Sequence, residues 1–139
     1  MNYVFVYGTL KRGEQNHVLL TGSEFVDVGY VRGCVLFDLG GCPAMMPGGT
    51  RQIDEVTHAA KGEIYEVPDE VFSDTLARLD KLEGEGSLYL RVKLNVRTRT
   101  GGNCECLTYL FIPSLHDARV VNGGWWSSRT FTPEELGVK

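Results

Sequence analysis

The chain has 139 residues, 42% of them hydrophobic, with 14 basic against 18 acidic side chains and a net charge of −4. That length suits one domain, residues 1–139, with a core of its own. The mild acidic balance argues against nucleic acid or an anionic membrane as main partner, and no apolar run approaches the roughly 20 residues of a membrane span.

The opening Met1-Asn2-Tyr3-Val4-Phe5-Val6 lacks the basic start and long apolar stretch of a signal peptide, so a soluble, cytoplasmic protein is expected. Tyr3 to Tyr7 is rich in β-branched and aromatic residues and ends at Gly8, which reads as a buried strand and a turn. His17-Val18-Leu19-Leu20 suggests one or two helical turns. Phe25 to Val31 and Cys34 to Leu39 read as strands flanking Gly33. Residues 40–50 are rich in glycine and proline around Met45-Met46, the composition of an irregular loop of the kind that lines sites. Gly62 to Val67 is a further strand, stopped by Pro68.

From Val71 to Leu82 the spacing of Phe72, Leu76, Leu79 and Leu82 marks one face of a helix, with Asp69 and Glu70 near its positive end. After residues 84–87, Leu90, Val92, Leu94 and Val96 alternate with Arg91, Lys93, Asn95 and Arg97, a half-buried strand with a solvated basic face. Thr100-Gly101-Gly102-Asn103 turns it into a partner strand, about Glu105 to Ile112. Thr132-Pro133-Glu134-Glu135 has capping-box spacing; residues 127–139 fit either a short terminal helix or a tail. Many strands around one confident helix predict a mixed α+β domain whose sheet curls, a small barrel being one such form.

Glu83 is the best candidate for chemistry. It continues the helical stripe one turn beyond Leu79, and Gly84 follows as the helix stop. A carboxylate held inward at a helix C-terminus meets desolvation and the negative end of the helix dipole, and both raise its pKa toward a proton-transfer range. The bland alternative is a helix that ends there, with the carboxylate turned to water. Asp80 lies about 60° away around the helix and could flank a site. Tyr89 could offer a hydroxyl to a substrate or simply pack. The amides of Gly8, Thr9 and Leu10 could form an anion-binding nest, or an ordinary turn.

His17, His58 and His116 are isolated, without the neighbours of a triad. Cys34, Cys42, Cys104 and Cys106 form no CxxC pair and have no histidine at ligand spacing. Reduced thiols are expected, with Cys104 and Cys106 as small buried residues on one strand face and a metal site a poor second. Trp125-Trp126 could shield a site, though covering the core is the better reading.

Several of these pieces occur together in the right order. Tyr7-Gly8-Thr9-Leu10, Asn16-His17, Gly41-Cys42-Pro43-Ala44, Gly62 to Val67, and Leu79-Asp80-Lys81-Leu82-Glu83-Gly84 followed by Tyr89 and Arg91 span residues 3 to about 126. In these the sequence resembles the gamma-glutamylcyclotransferase-like (AIG2-like) family. The gap from Glu83 to Tyr89 is similar to that of its gamma-glutamylamine cyclotransferase branch. The glutathione-pathway branch carries an extra Asn before the Leu of the opening motif, and this chain lacks it.

The resemblance implies a small mixed barrel with flanking helices and a cavity between the opening loop and the glutamate. Glu83 would be the catalytic acid/base. Tyr7, Gly8, Thr9 and Leu10 would hold the substrate, a small gamma-glutamyl molecule, with Tyr89 in the pocket. The products would be 5-oxoproline and a free amine, and no metal or organic cofactor is implied. The rival readings are a non-catalytic binder of small metabolites on the same fold, and an interaction module docking through exposed strands or Trp125-Trp126.

Overall fold

A computed structural model describes residues 2–39, 41–47, 59–84, 88–111 and 119–128. Its first strand, β1 (Asn2–Val6), serves two cores at once, which is why the run from Tyr3 to Val6 is apolar rather than alternating. Phe5 points into the interior of a barrel with Ile64, Val96 and Cys106. Val4 and Val6 point the other way, into a second cluster with Tyr65, Leu79, Tyr89 and Tyr109.

The barrel is closed and has the strand order β1-β5-β2-β6-β7, with β2 at Glu24–Val31, β5 at Ala60–Val67, β6 at Tyr89–Thr98 and β7 at Asn103–Phe111. β5 pairs antiparallel with β1 from Asn2↔Val67 to Val6↔Glu63. The β6–β7 hairpin keeps an unbroken register from Tyr89↔Phe111 to Arg97↔Asn103, around the expected turn. A parallel bridge at Val4↔Leu107 closes the ring. The curled α+β architecture expected from the sequence is therefore the one formed.

A separate three-stranded sheet corrects one expectation. Pro43–Pro47 is a strand, β4, rather than irregular loop, and it pairs with β3 (Cys34–Asp38), which also pairs with the short β8 (Arg119–Val120). Both prolines sit at the ends of β4, opposite Asp38 and Cys34, and β4 is an edge strand. Those are the positions where a missing N–H does least harm to a ladder.

The helix α1 spans Asp69–Glu83 and ends on Gly84 at φ 62°, the left-handed cap that a Cβ would strain. Leu79 and Thr75 are its buried residues. Leu82, placed on the inward stripe by periodicity, is 40% exposed, because the stripe is centred on Leu79 and turns toward Glu83 in the last turn. The strand β6 departs from simple alternation in a related way. Val96 is buried in the barrel, but Leu90 is 48% exposed while Tyr89 is buried on the opposite face. At that end of β6 the covered face belongs to the cluster that contains Leu79 of α1. Trp126 lies in the barrel core, as the sequence suggested, and Trp125 is exposed.

No helix among the described residues is long and apolar enough to cross a membrane. Cys104 and Cys106 share a face of β7 with their Sγ atoms 3.7 Å apart. His58, His116 and the Thr132–Glu135 segment lie outside the described residues.

Candidate active site

The chain turns sharply after β1. The Lys11 N–H donates to the Gly8 carbonyl at 3.1 Å, closing a turn whose two central amides, those of Thr9 and Leu10, take no part in that bond. The Thr9 carbonyl accepts from the Asn16 N–H at 2.9 Å, and the Leu10 carbonyl meets His17 Nδ1 at 2.8 Å. Because N–H and C=O point in opposite directions across a trans peptide, these bonds turn the Thr9 and Leu10 amides away from residues 11 and 16.

Asn16 also donates from Nδ2 to Thr9 Oγ1 at 2.9 Å. Gly8 is required by space, not by its dihedrals. A Cβ there would lie 2.7 Å from the Pro43 ring, and Gly8 is not among the positive-φ glycines. An alternating left-handed nest is thus not what this loop forms.

The turn is braced from behind. The Glu63 carboxylate, almost fully buried, accepts from the Arg12 N–H at 2.8 Å, from Arg12 Nε at 3.1 Å and from the Tyr65 hydroxyl at 3.0 Å. The Lys11 ammonium, also buried, donates to the Trp126 carbonyl and lies 4.7 Å from the Trp125 ring centre and 5.4 Å from that of Trp126. Its burial pulls the Lys11 pKa below the usual range, partly offset by Glu14 and Glu63. The tryptophan pair therefore supports the loop and does not wall the cavity.

In front of this turn is a cavity of about 400 Å³. Tyr7, Gly8, Thr9, Leu10, Glu83 and Tyr89, the candidates singled out in the sequence, all line it. Gln15, Asn16, Cys42, Pro43, Leu82, Leu88 and Tyr109 complete much of the wall. Glu83 is half-buried, and burial pushes its pKa from the ordinary 4.5 up to about 7. Desolvation is the cause of that rise.

Three tyrosines surround that carboxyl, and each is anchored. The Tyr7 hydroxyl donates to the Tyr109 carbonyl at 2.6 Å, and the Tyr89 hydroxyl to the Pro43 carbonyl at 2.9 Å. The Tyr109 hydroxyl donates to Asp80 Oδ1 at 2.6 Å, and Asp80 Oδ2 pairs with Arg91. Burial first, and Glu83 among the neighbours, lifts all three phenols well above their usual 10. Burial likewise raises the Cys42 thiol.

Asp80 thus ties the last turn of α1 to both strands of the hairpin, three residues before Glu83. Tyr109 was not singled out from the sequence. The signal available was the hairpin register, which sets it opposite Arg91. Arg91 itself belongs to this network rather than to a solvated basic face. Among the described residues no group of three or more His, Cys, Asp or Glu is arranged to hold a metal ion.

Comparison with known proteins places the fold. A rat protein named gamma-glutamylaminecyclotransferase is 34% identical over 122 residues, covering 78% of this chain and 77% of its own. The crystal structure of a mouse AIG2-like protein superimposes with a TM-score of 0.73 at 26% identity, covering 100% of this chain and 94% of that one. An uncharacterized protein from Pyrococcus horikoshii superimposes with a TM-score of 0.65 at 25% identity, over 90% and 89% of the two chains. The family model described as gamma-glutamyl cyclotransferase, AIG2-like, matches residues 4–128, and the chain belongs to that family.

Proposed function

We propose that this protein cyclises a gamma-glutamyl amine to 5-oxoproline and releases the free amine, with Glu83 as general acid/base. The observation that carries the reading is a carboxyl with a pKa pushed up to about 7, lining the same cavity as the turn formed by Gly8, Thr9 and Leu10. The family and the name of the rat relative support the class of reaction and the amine substrate.

The chemistry is intramolecular, so the protein mainly has to hold the substrate folded. Glu83 as carboxylate takes one proton from the α-ammonium. The freed amine attacks the γ-carbonyl carbon, forming the ring C–N bond and placing negative charge on the carbonyl oxygen. Protonated Glu83 then gives its proton to the amide nitrogen, and the bond from that nitrogen to the carbonyl carbon breaks as the C=O re-forms. The ring nitrogen loses its second proton through the same carboxylate to the departing amine, which leaves as an ammonium. The Thr9 and Leu10 amides hold the substrate carboxylate or steady the transient oxyanion. A group with a pKa near 7 suits both directions of transfer.

The test is release of 5-oxoproline from a panel of gamma-glutamyl amines. Glu83→Gln keeps the shape and removes the proton shuttle, so turnover should fall about a hundredfold or more. Parent-level activity in purified Glu83→Gln refutes the role of Glu83.

A further inference from the structure

Arg97, Arg99 and the exposed Trp125 play no part in the cavity of Glu83, and they meet in a second hollow. It has a volume of about 460 Å³ and shares no lining residue with the first. That size falls inside the roughly 300–1,000 Å³ of small-molecule sites. Three strands place it. Tyr30 of β2 pairs directly with Lys61 of β5 on one side and with Arg97 of β6 on the other. Directly opposed residues share a face, so the three side chains stand in one row across the sheet. Their neighbours Val31, Ala60 and Val96 fill the barrel, and the row therefore faces outward. Arg99, two residues beyond Arg97, lines the same hollow.

Charge sets this surface apart. The chain as a whole carries −4, yet three cations and, among the described residues, no carboxylate line the hollow. The acids nearby are engaged elsewhere or only in part. Glu63 accepts from Arg12 and Tyr65. Asp27 accepts from Thr100 and, at 3.4 Å, from Arg99 Nε, while the Arg99 side chain stays 74% exposed. Arg97 makes no side-chain hydrogen bond or ion pair among the described residues.

The aromatic side of the hollow is held in place. The Lys61 ammonium donates to the Gly123 carbonyl at 2.7 Å, which ties the row to the turn that ends at Trp125. The Lys11 ammonium, 4.7 Å from the Trp125 ring centre, steadies that ring as well. A positioned indole beside arginine forks offers two recognition modes at once. Planar rings stack on an indole whatever their edge pattern, and a phosphate, with several acceptor oxygens, bonds to more than one cation together.

We infer that this hollow is a second binding site, which takes a small ligand joining a planar ring to a phosphate, the chemistry of a nucleoside monophosphate. The ring stacks against Trp125 and Tyr30. The phosphate lies on Arg97, with Arg99 and Lys61 beside it. The inference draws on no residue of the cyclisation site and stands apart from that reading.

The experiment titrates the protein with AMP, adenosine and inorganic phosphate by calorimetry at low ionic strength, where exposed charges are least screened. AMP should bind saturably, about tenfold or more tightly than adenosine and about fivefold or more tightly than phosphate. Arg97→Ala should weaken AMP about tenfold and leave adenosine within about twofold. Trp125→Ala should weaken both about fivefold or more. No saturable AMP binding at millimolar concentration overturns the inference, and that measurement needs no variant to fold. Adenosine binding as tightly as AMP overturns the phosphate site, and phosphate binding as tightly as AMP overturns the ring site. AMP affinity unchanged in both variants overturns the location.

Discussion

Replacing Glu83 by glutamine should make the protein more stable at neutral and alkaline pH, while leaving it nearly unchanged in acid. The folded-state pKa of Glu83 is raised, from 4.5 to about 7, because the buried carboxyl is easier to hold neutral than charged. A group raised in this direction favours the native state fully below pH 4.5, and the advantage drains away as pH climbs through about 7. At roughly 1.4 kcal/mol per pH unit, the loss reaches about 3 kcal/mol, a large share of the stability of a small domain. A glutamine has no charge to bury and is spared this loss.

The assay is urea unfolding of parent and Glu83→Gln at closely spaced pH values from 4 to 9. The difference in stability should be small near pH 4, open between about 4.5 and 7, and level off near 3 kcal/mol in favour of the variant. A difference that stays constant with pH refutes burial as the cause of the shift. So does a variant that is less stable than the parent above pH 7.

The activity against pH should carry the same signature. With the parent enzyme, kcat/KM for a gamma-glutamyl amine should fall as pH drops below about 7, since the free enzyme needs the Glu83 carboxylate. The limb in kcat should lie lower, because a bound ammonium favours the charged form. Gly8→Ala forces a methyl to within 2.7 Å of the Pro43 ring, so KM should rise and stability fall by about 1–3 kcal/mol, read by steady-state kinetics and thermal unfolding. Gly84→Ala puts a Cβ at φ 62° just beyond Glu83, which should cost about 1 kcal/mol in urea unfolding and lower kcat by disturbing the helix end. Asp80→Ala frees Tyr109 and Arg91 together, and kcat should fall about tenfold or more with little change in the pH limb.

What could be read from the chain divides by the range of the interactions involved. The helix α1 and the inward set of Glu83 were visible because Phe72, Leu76 and Leu79 fix a phase within four turns and Gly84 ends it. The loop at Gly8 to Leu10 was visible as a strand end followed by glycine. β4 was hidden because Pro43 and Pro47 read as breakers, and only the pairing with β3 shows that both sit where a strand tolerates them. Leu90 was misjudged for a similar reason. Alternation tells which residues share a face of β6, but not which of its faces is covered at each end. Tyr109 needed both the hairpin register and the approach of Asp80 from α1, two facts that no local pattern contains.

The cavity opens where the two cores of the molecule meet, and that position accounts for its chemistry. Tyr7 packs with the barrel interior, whereas Tyr89 and Tyr109 pack with the cluster on the outer face of β1 that also contains Leu79. A residue at such a seam is surrounded by apolar side chains on two sides, so its polar end must find a partner within the seam. For each tyrosine that partner is a carbonyl or a carboxylate held by the scaffold. Glu83 is the carboxyl at the seam that meets no hydrogen-bond donor among the described residues, and burial raises its pKa. A donor introduced by mutation beside Glu83 would stabilise the fold at neutral pH, and by the same step lower the pKa that proton transfer requires. The energetic cost of the site and its reactivity are thus two readings of one desolvated group.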